Sequence, residues 1–223
     1  MTLQEGVVKY RAKHREAPVP RWAFPTVRAL SAWRWILRRL ELVGQDGVRY
    51  GGAAWGNVSA RLPPWHDGAR RPFLVSATQT GGVVDAGPEH FAVVQRCDVG
   101  QGLVESEGPL PPSSEAMTHT ALYGVDAQLR FVFHAHAPDI WRHARRLELP
   151  CTPEGVEYGT SEMAFAVERL LAQRRAREAR TLVMLGHEDG VISFGETPDE
   201  AGEAMLRFLA RARALCGPLG DAG

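Results

Sequence analysis

Apolar residues recur at three-to-four spacing in Leu30, Trp33, Ile36, Leu37, Leu40 and Val43, which predicts an amphipathic helix capped by Thr26 and stopped at Gly44. A glycine-rich passage over residues 51–57 leads into an alternating segment at 58–62. Between Phe73 and Asp98 short β-like runs (73–75 and 91–94) are broken by glycine and proline turns, and 103–106 is a further strand. Ser113 or Ser114 then caps a helix reaching Tyr123 with Gly124 behind it; 130–136 reads as a strand, and Pro138 suits the first turn of the next helix. A helix over 161–177 precedes strands at 182–185 and 191–194. The last helix opens on a capping box, Thr197 with Glu200, places Pro198 at its first position, and runs to Leu215 before Gly217. Strands and helices mingle without strict βαβ alternation, so the pattern predicts an α/β protein with a mixed or antiparallel sheet and helices packed on it. Residues 1–25, polar and punctuated by proline, read as a loosely packed arm.

Composition narrows the function classes. A chain of 223 residues with 44% apolar and 23% charged positions suits one globular core built without disulfides. Basic and acidic residues balance at 26 each, so no global field draws the chain to nucleic acid or to an anionic membrane. The basic run Arg174-Arg175-Ala176-Arg177 reads as a solvated helix face. Lys9 and Lys13 are the only lysines, and the abundance of Arg, Ala and Gly reads as coding bias, not heat adaptation. Cys97, Cys151 and Cys216 are odd in number and far apart, as reduced thiols would be, and no apolar stretch resembles a signal peptide. The expected compartment is the cytoplasm.

The sharpest chemical signal is Phe133-His134-Ala135-His136. Residues two apart on a strand share a face, so both imidazoles project together, and imidazole suits zinc or a similar first-row ion. The competing reading is a pair of hydrogen-bonded histidines at a strand end. His187, at the end of the apolar 181–185 run, is the best third ligand; His14, His66, His90, His119 and His143 lack such a setting, His119 least so. In Pro112-Ser113-Ser114-Glu115, hydroxyls and free amides at a helix start suit a phosphate, and Glu115 suits a general acid/base. The same letters also spell an ordinary helix cap. Gly56-Asn57 and Thr78-Gln79-Thr80-Gly81-Gly82 are turns that match neither a P-loop nor a dinucleotide fingerprint.

Taken in order, Gly56-Asn57-Val58-Ser59, Thr80-Gly81, Ser113-Ser114-Glu115, His134-Ala135-His136 and His187 resemble the class II aldolase/adducin family, which includes L-fuculose-1-phosphate aldolase. Tyr158-Gly159-Thr160 with Ser161-Glu162 resembles the family's G-T-x-E/D helix start. The resemblance implies a three-layer α/β/α fold around a mainly antiparallel sheet, with a family domain at 26–217 between the arm and a short tail at 218–223. It also implies a homotetramer with interfacial active sites. Residue by residue it makes His134, His136 and His187 the Zn2+ ligands and Glu115 the acid/base. Asn57, Thr80, Gly81, Ser113 and Ser114 become the phosphate pocket.

The implied activity is a metal-dependent aldolase, a lyase that makes or breaks a carbon–carbon bond in a small phosphorylated ketose through a zinc-stabilised enediolate. The alternatives are a sugar-phosphate dehydratase of the methylthioribulose-1-phosphate type and a non-catalytic adducin-like assembly domain. Glu at position 115, where the family's 4-epimerases usually carry Asp, favours cleavage or dehydration over epimerisation. Two departures stand out. Glu188 and Asp189 intervene between His187 and Gly190, which brings an extra acid to the metal site or moves His187. No tyrosine follows Tyr158, although fuculose-phosphate aldolases use one near the C-terminus.

Overall fold

The computed structural model describes residues 7–63 and 72–216; His66, Gly217 and the 218–223 tail lie outside them. Eight strands build one sheet: β1 (Arg11–Glu16), β2 (Asn57–Arg61), β3 (Phe73–Ser76), β4 (Phe91–Asp98), β5 (Leu103–Gly108), β6 (Phe131–His136), β7 (Thr181–Val183) and β8 (Gly190–Gly195). Their order is β1-β5-β4-β3-β2-β6-β8-β7. Neighbouring strands run antiparallel except β1 and β5, which are parallel. The helices are α1 (Phe24–Arg39), α2 (Ala116–Val125), α3 (Pro138–Arg142), α4 (Ser161–Leu171), α5 (Arg174–Ala179) and α6 (Pro198–Leu215).

Strand alternation divides the core into two layers. Phe133 and Ala135 of β6, with Val58 and Ala60 of β2, pack against Leu30 and Leu37 of α1 and Met205 and Phe208 of α6. Val132 of β6, Phe73 and Val75 of β3 and Ile192 of β8 face the other way, onto Met117 and Leu122 of α2 and Met163 and Val167 of α4. Helices therefore cover both faces of a mainly antiparallel sheet, the α/β/α layering expected.

The ends of elements differ from the sequence reading for local reasons. Helix α1 starts at Phe24 with Pro25 in its first turn and stops at Arg39, because Glu41 takes a left-handed conformation (φ 58°) that redirects the chain. The span 161–177 is two helices, broken where Gln173 is extended. Glu115, not Ser113 or Ser114, is the residue that begins α2, and Gly124 lies within it. The Thr197 hydroxyl accepts the Glu200 amide as expected, while the Glu200 carboxylate takes the amide of Glu196.

The larger correction concerns the arm. Residues 11–16 are not loose: they pair with β5 along their whole length. Lys13 with Glu105 (3.3 Å) and Arg15 with Glu107 (2.6 Å) sit directly across the ladder, and His14 Nδ1 contacts Ser106 Oγ at 3.0 Å. A polar strand lacks the hydrophobic alternation that marks a buried one, and cross-strand charge pairs specify its register instead.

Helices α1 and α6 meet at Trp33, whose Nε1 donates to Asp199 Oδ1 at 2.9 Å and whose ring lies where a Cβ on Gly202 would be. Gly202→Ala adds a better helix former by about 1 kcal/mol but overpacks this contact. We expect a net loss of roughly 1 kcal/mol in denaturant unfolding; a gain in stability would mean that the indole yields freely.

Candidate metal centre and active site

Strand β6 runs between β2 and β8, with His134 opposite both Asn57 and Ile192 and His136 opposite Gly190. Both ladders hold the strand, so the register that turns His134 and His136 to one face is fixed from two sides. His187 joins them from the turn between β7 and β8. Its amide donates to Met184 O at 3.0 Å and its carbonyl accepts from Gly190 N at 2.9 Å, which closes the turn. A Cβ at Gly190 would press on the His187 ring at 3.0 Å, so glycine leaves the imidazole its place. Potential ligand atoms of the three side chains lie within 4.8 Å of one another, all buried.

These imidazoles fit a divalent ion. Burial first, and then the neighbouring His187 charge, hold the pKa values of His134 and His136 well below the ordinary value, so both offer lone pairs at neutral pH. His134 Nδ1 donates to Val191 O at 3.2 Å, which selects the tautomer whose Nε2 lone pair is free. That Nε2 is buried and has no hydrogen-bond partner. A buried polar atom left in this state is costly unless something else binds it.

Glu115 stands beside this cluster. One carboxylate oxygen, Oε2, accepts from Thr118 Oγ1 at 2.6 Å, and the other, Oε1, lies 3.8 Å from His187 Nδ1. Next to it, Asn57, Thr80, Gly81, Ser113 and Ser114 line a single pocket with Glu115 and His134. Ser113 Oγ accepts the Glu115 amide at 3.3 Å, so the serine shapes the entry to α2 without being its formal cap. Gly81 lies so close to the Gly44 carbonyl that a side chain there would overlap it. Every site residue singled out in the sequence converges on this one place.

Several neighbours were not marked as site residues by the sequence. The Tyr158 ring stacks on His187 (centroids 4.4 Å apart) and His187 on His134 (4.9 Å), while the Lys9 ammonium covers the Tyr158 ring at 3.8 Å. Tyr50, in a left-handed conformation (φ 51°), sets its ring 4.6 Å from His136 and donates its hydroxyl to Asp189 Oδ2 at 2.6 Å. Tyr10 donates to Ser113 O at 3.0 Å. The buried Arg34 guanidinium holds the carbonyls of Thr80 and Val83. Their side chains reach the site from distant parts of the chain, and no local motif announces that.

The remaining described histidines are placed elsewhere, apart from His119. His14 sits on the β1 edge, His90 beside Glu89, and His143 beside Cys216. His119, one turn after Glu115 on α2, is fully buried behind the site, where its Nδ1 and Tyr123 Oη each lie 2.6 Å from Ser59 Oγ.

The chain matches a family model described as the class II aldolase and adducin N-terminal domain over residues 46–216. Solved structures agree in fold. A sugar-phosphate aldolase from Thermotoga maritima aligns with a TM-score of 0.64 at 16% identity, over 86% of this chain and 94% of its own. L-fuculose-1-phosphate aldolase from Thermus thermophilus aligns at 0.59 and 21%, over 85% and 91%. An aldolase II superfamily protein from Pseudomonas syringae aligns at 0.62 and 17%, over 92% and 80%. No curated protein is significantly similar to the chain in sequence.

Burial pulls the His119 pKa down to about 3. In the unfolded chain the group titrates near 6.5, so between these values only unfolded molecules take up the proton. Stability is therefore whole above 6.5 and falls with pH through this window, with a slope approaching about 1.4 kcal/mol per pH unit for this one group. Metal-free His119→Asn should unfold with a correspondingly shallower pH slope between 6 and 4 than the metal-free parent. Parallel slopes would place the imidazole in contact with solvent.

Proposed function

Since the chain belongs to the class II aldolase and adducin family, we propose that it is a metal-dependent lyase of aldolase type, acting on a small phosphorylated ketose. The observation that carries this reading is the meeting of a buried three-histidine cluster, a buried carboxylate and a pocket of hydroxyls and amides. His134, His136 and His187 would hold the ion, zinc or another divalent first-row metal. Such an ion supplies Lewis-acid stabilisation for negative charge developing on a substrate oxygen.

The chain's own groups divide the remaining work. Ser113, Ser114, Asn57 and the Thr80–Gly81 turn present donors to the phosphate, and so fix which end of the substrate faces the histidines. Glu115 is the proton carrier. The Thr118 hydroxyl donates to Oε2, and Oε1, 3.8 Å from His187 Nδ1, is the atom on the metal side that would take the proton from the substrate carbon and return it. The surrounding apolar layer of Met117, Val132 and Ile192 keeps bulk water from competing for that proton.

An adducin-like assembly domain has no need of these buried polar groups, each of which costs folding free energy. A dehydratase would use the same ion and glutamate, and its products would differ. The same proposal includes a cytoplasmic homotetramer with active sites near subunit interfaces. Exposed Trp22 and, on α1, Trp35 support association, since large apolar side chains in water favour burial. The catalytic body is proposed to span 26–217, with β1 added to its edge.

The zinc-loaded protein, incubated with dihydroxyacetone phosphate in deuterated water, should place deuterium on the hydroxymethyl carbon. Glu115→Gln should slow this exchange by roughly two to four orders of magnitude while binding one zinc per chain. His134→Ala should lose both exchange and tight zinc binding. A protein that binds zinc but exchanges nothing would overturn the aldolase reading and turn attention to dehydration.

A further inference from the structure

Helix α1 carries an arginine on its buried face. Arg34 lies four residues after Leu30 and three before Leu37, shares their stripe, and is 1% exposed. Its guanidinium donates to backbone carbonyls: Nη1 to Val83 O at 2.7 Å and Nη2 to Thr80 O. Arg38, one turn on, donates to Gly82 O at 3.2 Å. Among the described residues no carboxylate pairs with Arg34. Burial and the nearby Arg38 charge lower its pKa to about 10, which leaves it cationic at neutral pH. An isolated cation in the interior is unfavourable unless negative charge or strong acceptors compensate it.

The carbonyls it grips belong to the turn that lines the candidate phosphate pocket. A trans peptide directs its C=O and the following N–H to opposite sides. With Thr80 O turned onto Arg34, the Gly81 N–H is turned away from α1, and both residues line the pocket beside Ser113, Ser114 and Asn57. The turn is braced internally by Thr80 Oγ1 donating to Ala77 O at 2.7 Å and Val83 N donating to Thr80 O at 3.0 Å. A cation bound to a peptide carbonyl polarises that peptide and makes its N–H a stronger donor.

We propose that Arg34 is the buried counter-charge of a phosphoryl subsite at the Thr80–Gly81 turn, a positioning residue that aims and polarises the Gly81 amide without touching the ligand. This rests on the pocket being the phosphate site of the reading above. It also gives the buried cation a partner: a phosphoryl group bound on the far side of one peptide unit supplies the negative charge that the protein itself does not place there.

The test titrates inorganic phosphate into zinc-loaded, nitrogen-15-labelled protein and follows the Gly81 amide. In the parent protein this resonance should move downfield and saturate. In Arg34→Met it should start upfield of the parent, and phosphate should bind about tenfold or more weakly, as loss of a charge-assisted interaction implies, with one zinc per chain retained. Arg34→Lys, which keeps the charge and loses the fork, should fall between them. A parent Gly81 amide that ignores phosphate overturns the pocket assignment and this inference with it. A responsive parent whose two variants bind phosphate equally well overturns the counter-charge role alone and leaves Arg34 a brace. Should Arg34→Met fail to fold, Arg34→Lys decides: parent-like affinity and Gly81 shift overturn the proposal, and a weakened, upfield-shifted response supports it.

Discussion

The period of two along β6 is the constraint on which the site depends. Phe133 and Ala135 must face α1 and α6 to complete that core layer, and this forces His134 and His136 onto the opposite face with Val132. A slip of one residue would bury both imidazoles against Leu30 and Met205 and turn Phe133 into a polar pocket. Such a slip is opposed by β2 and β8 together, because β6 is an interior strand whose two ladders would both have to shift. The geometry of the histidine pair is thus a by-product of hydrophobic packing on the other side of the sheet.

The same site concentrates polar groups that the fold has to desolvate. Three imidazoles, the Glu115 carboxyl, Asn57, Ser59 and the Arg34 guanidinium are all at most 5% exposed. Internal bonds hold most of them in place: Thr118 on Glu115, Val191 O on His134, Ser59 on His119 and Tyr123. Aromatic stacking supplies the rest of the orientation. Lys9, Tyr158, His187 and His134 form a continuous stack, which restricts rotation of the His187 ring where a turn alone would leave it mobile. What these bonds leave over, the bare Nε2 of His134 and the bare Oδ1 of Asn57, points to ligands, since either would otherwise be a plain cost of folding.

The local placement of the candidate site residues was legible in the sequence. H-x-H on a strand, S-S-E at a helix start and T-G in a turn are local patterns, and each lies where its spacing placed it. The layered fold was legible through the family resemblance, while periodicity alone reached only a mixed or antiparallel sheet. The illegible parts depend on long-range placement. Strand β1 is polar because charge pairs with β5 specify it, so its pattern mimics a loose arm. Arg34 sits on an apolar stripe and is hidden among the residues that define it. Tyr10 meets Ser113 across 103 positions of sequence, and nothing near either residue signals the contact. The break at Gln173, where the backbone turns extended, has no proline or glycine to announce it.

Glu188 and Asp189, between His187 and Gly190, lie in a closed turn beside the three-histidine cluster. Added residues in a strand would shift its register against both neighbours, but in a closed turn they cost one unusual backbone conformation. Asp189 takes it, with φ at 60° in the left-handed region that Asp tolerates better than most residues. Its carboxylate accepts from the Tyr50 hydroxyl at 2.6 Å, with Arg49 Nη2 at 3.9 Å. Tyr50 is itself left-handed and lies edge-on to His136. Two left-handed residues are therefore joined by one hydrogen bond beside the histidines, and strain of this kind persists only where surrounding contacts over-determine it.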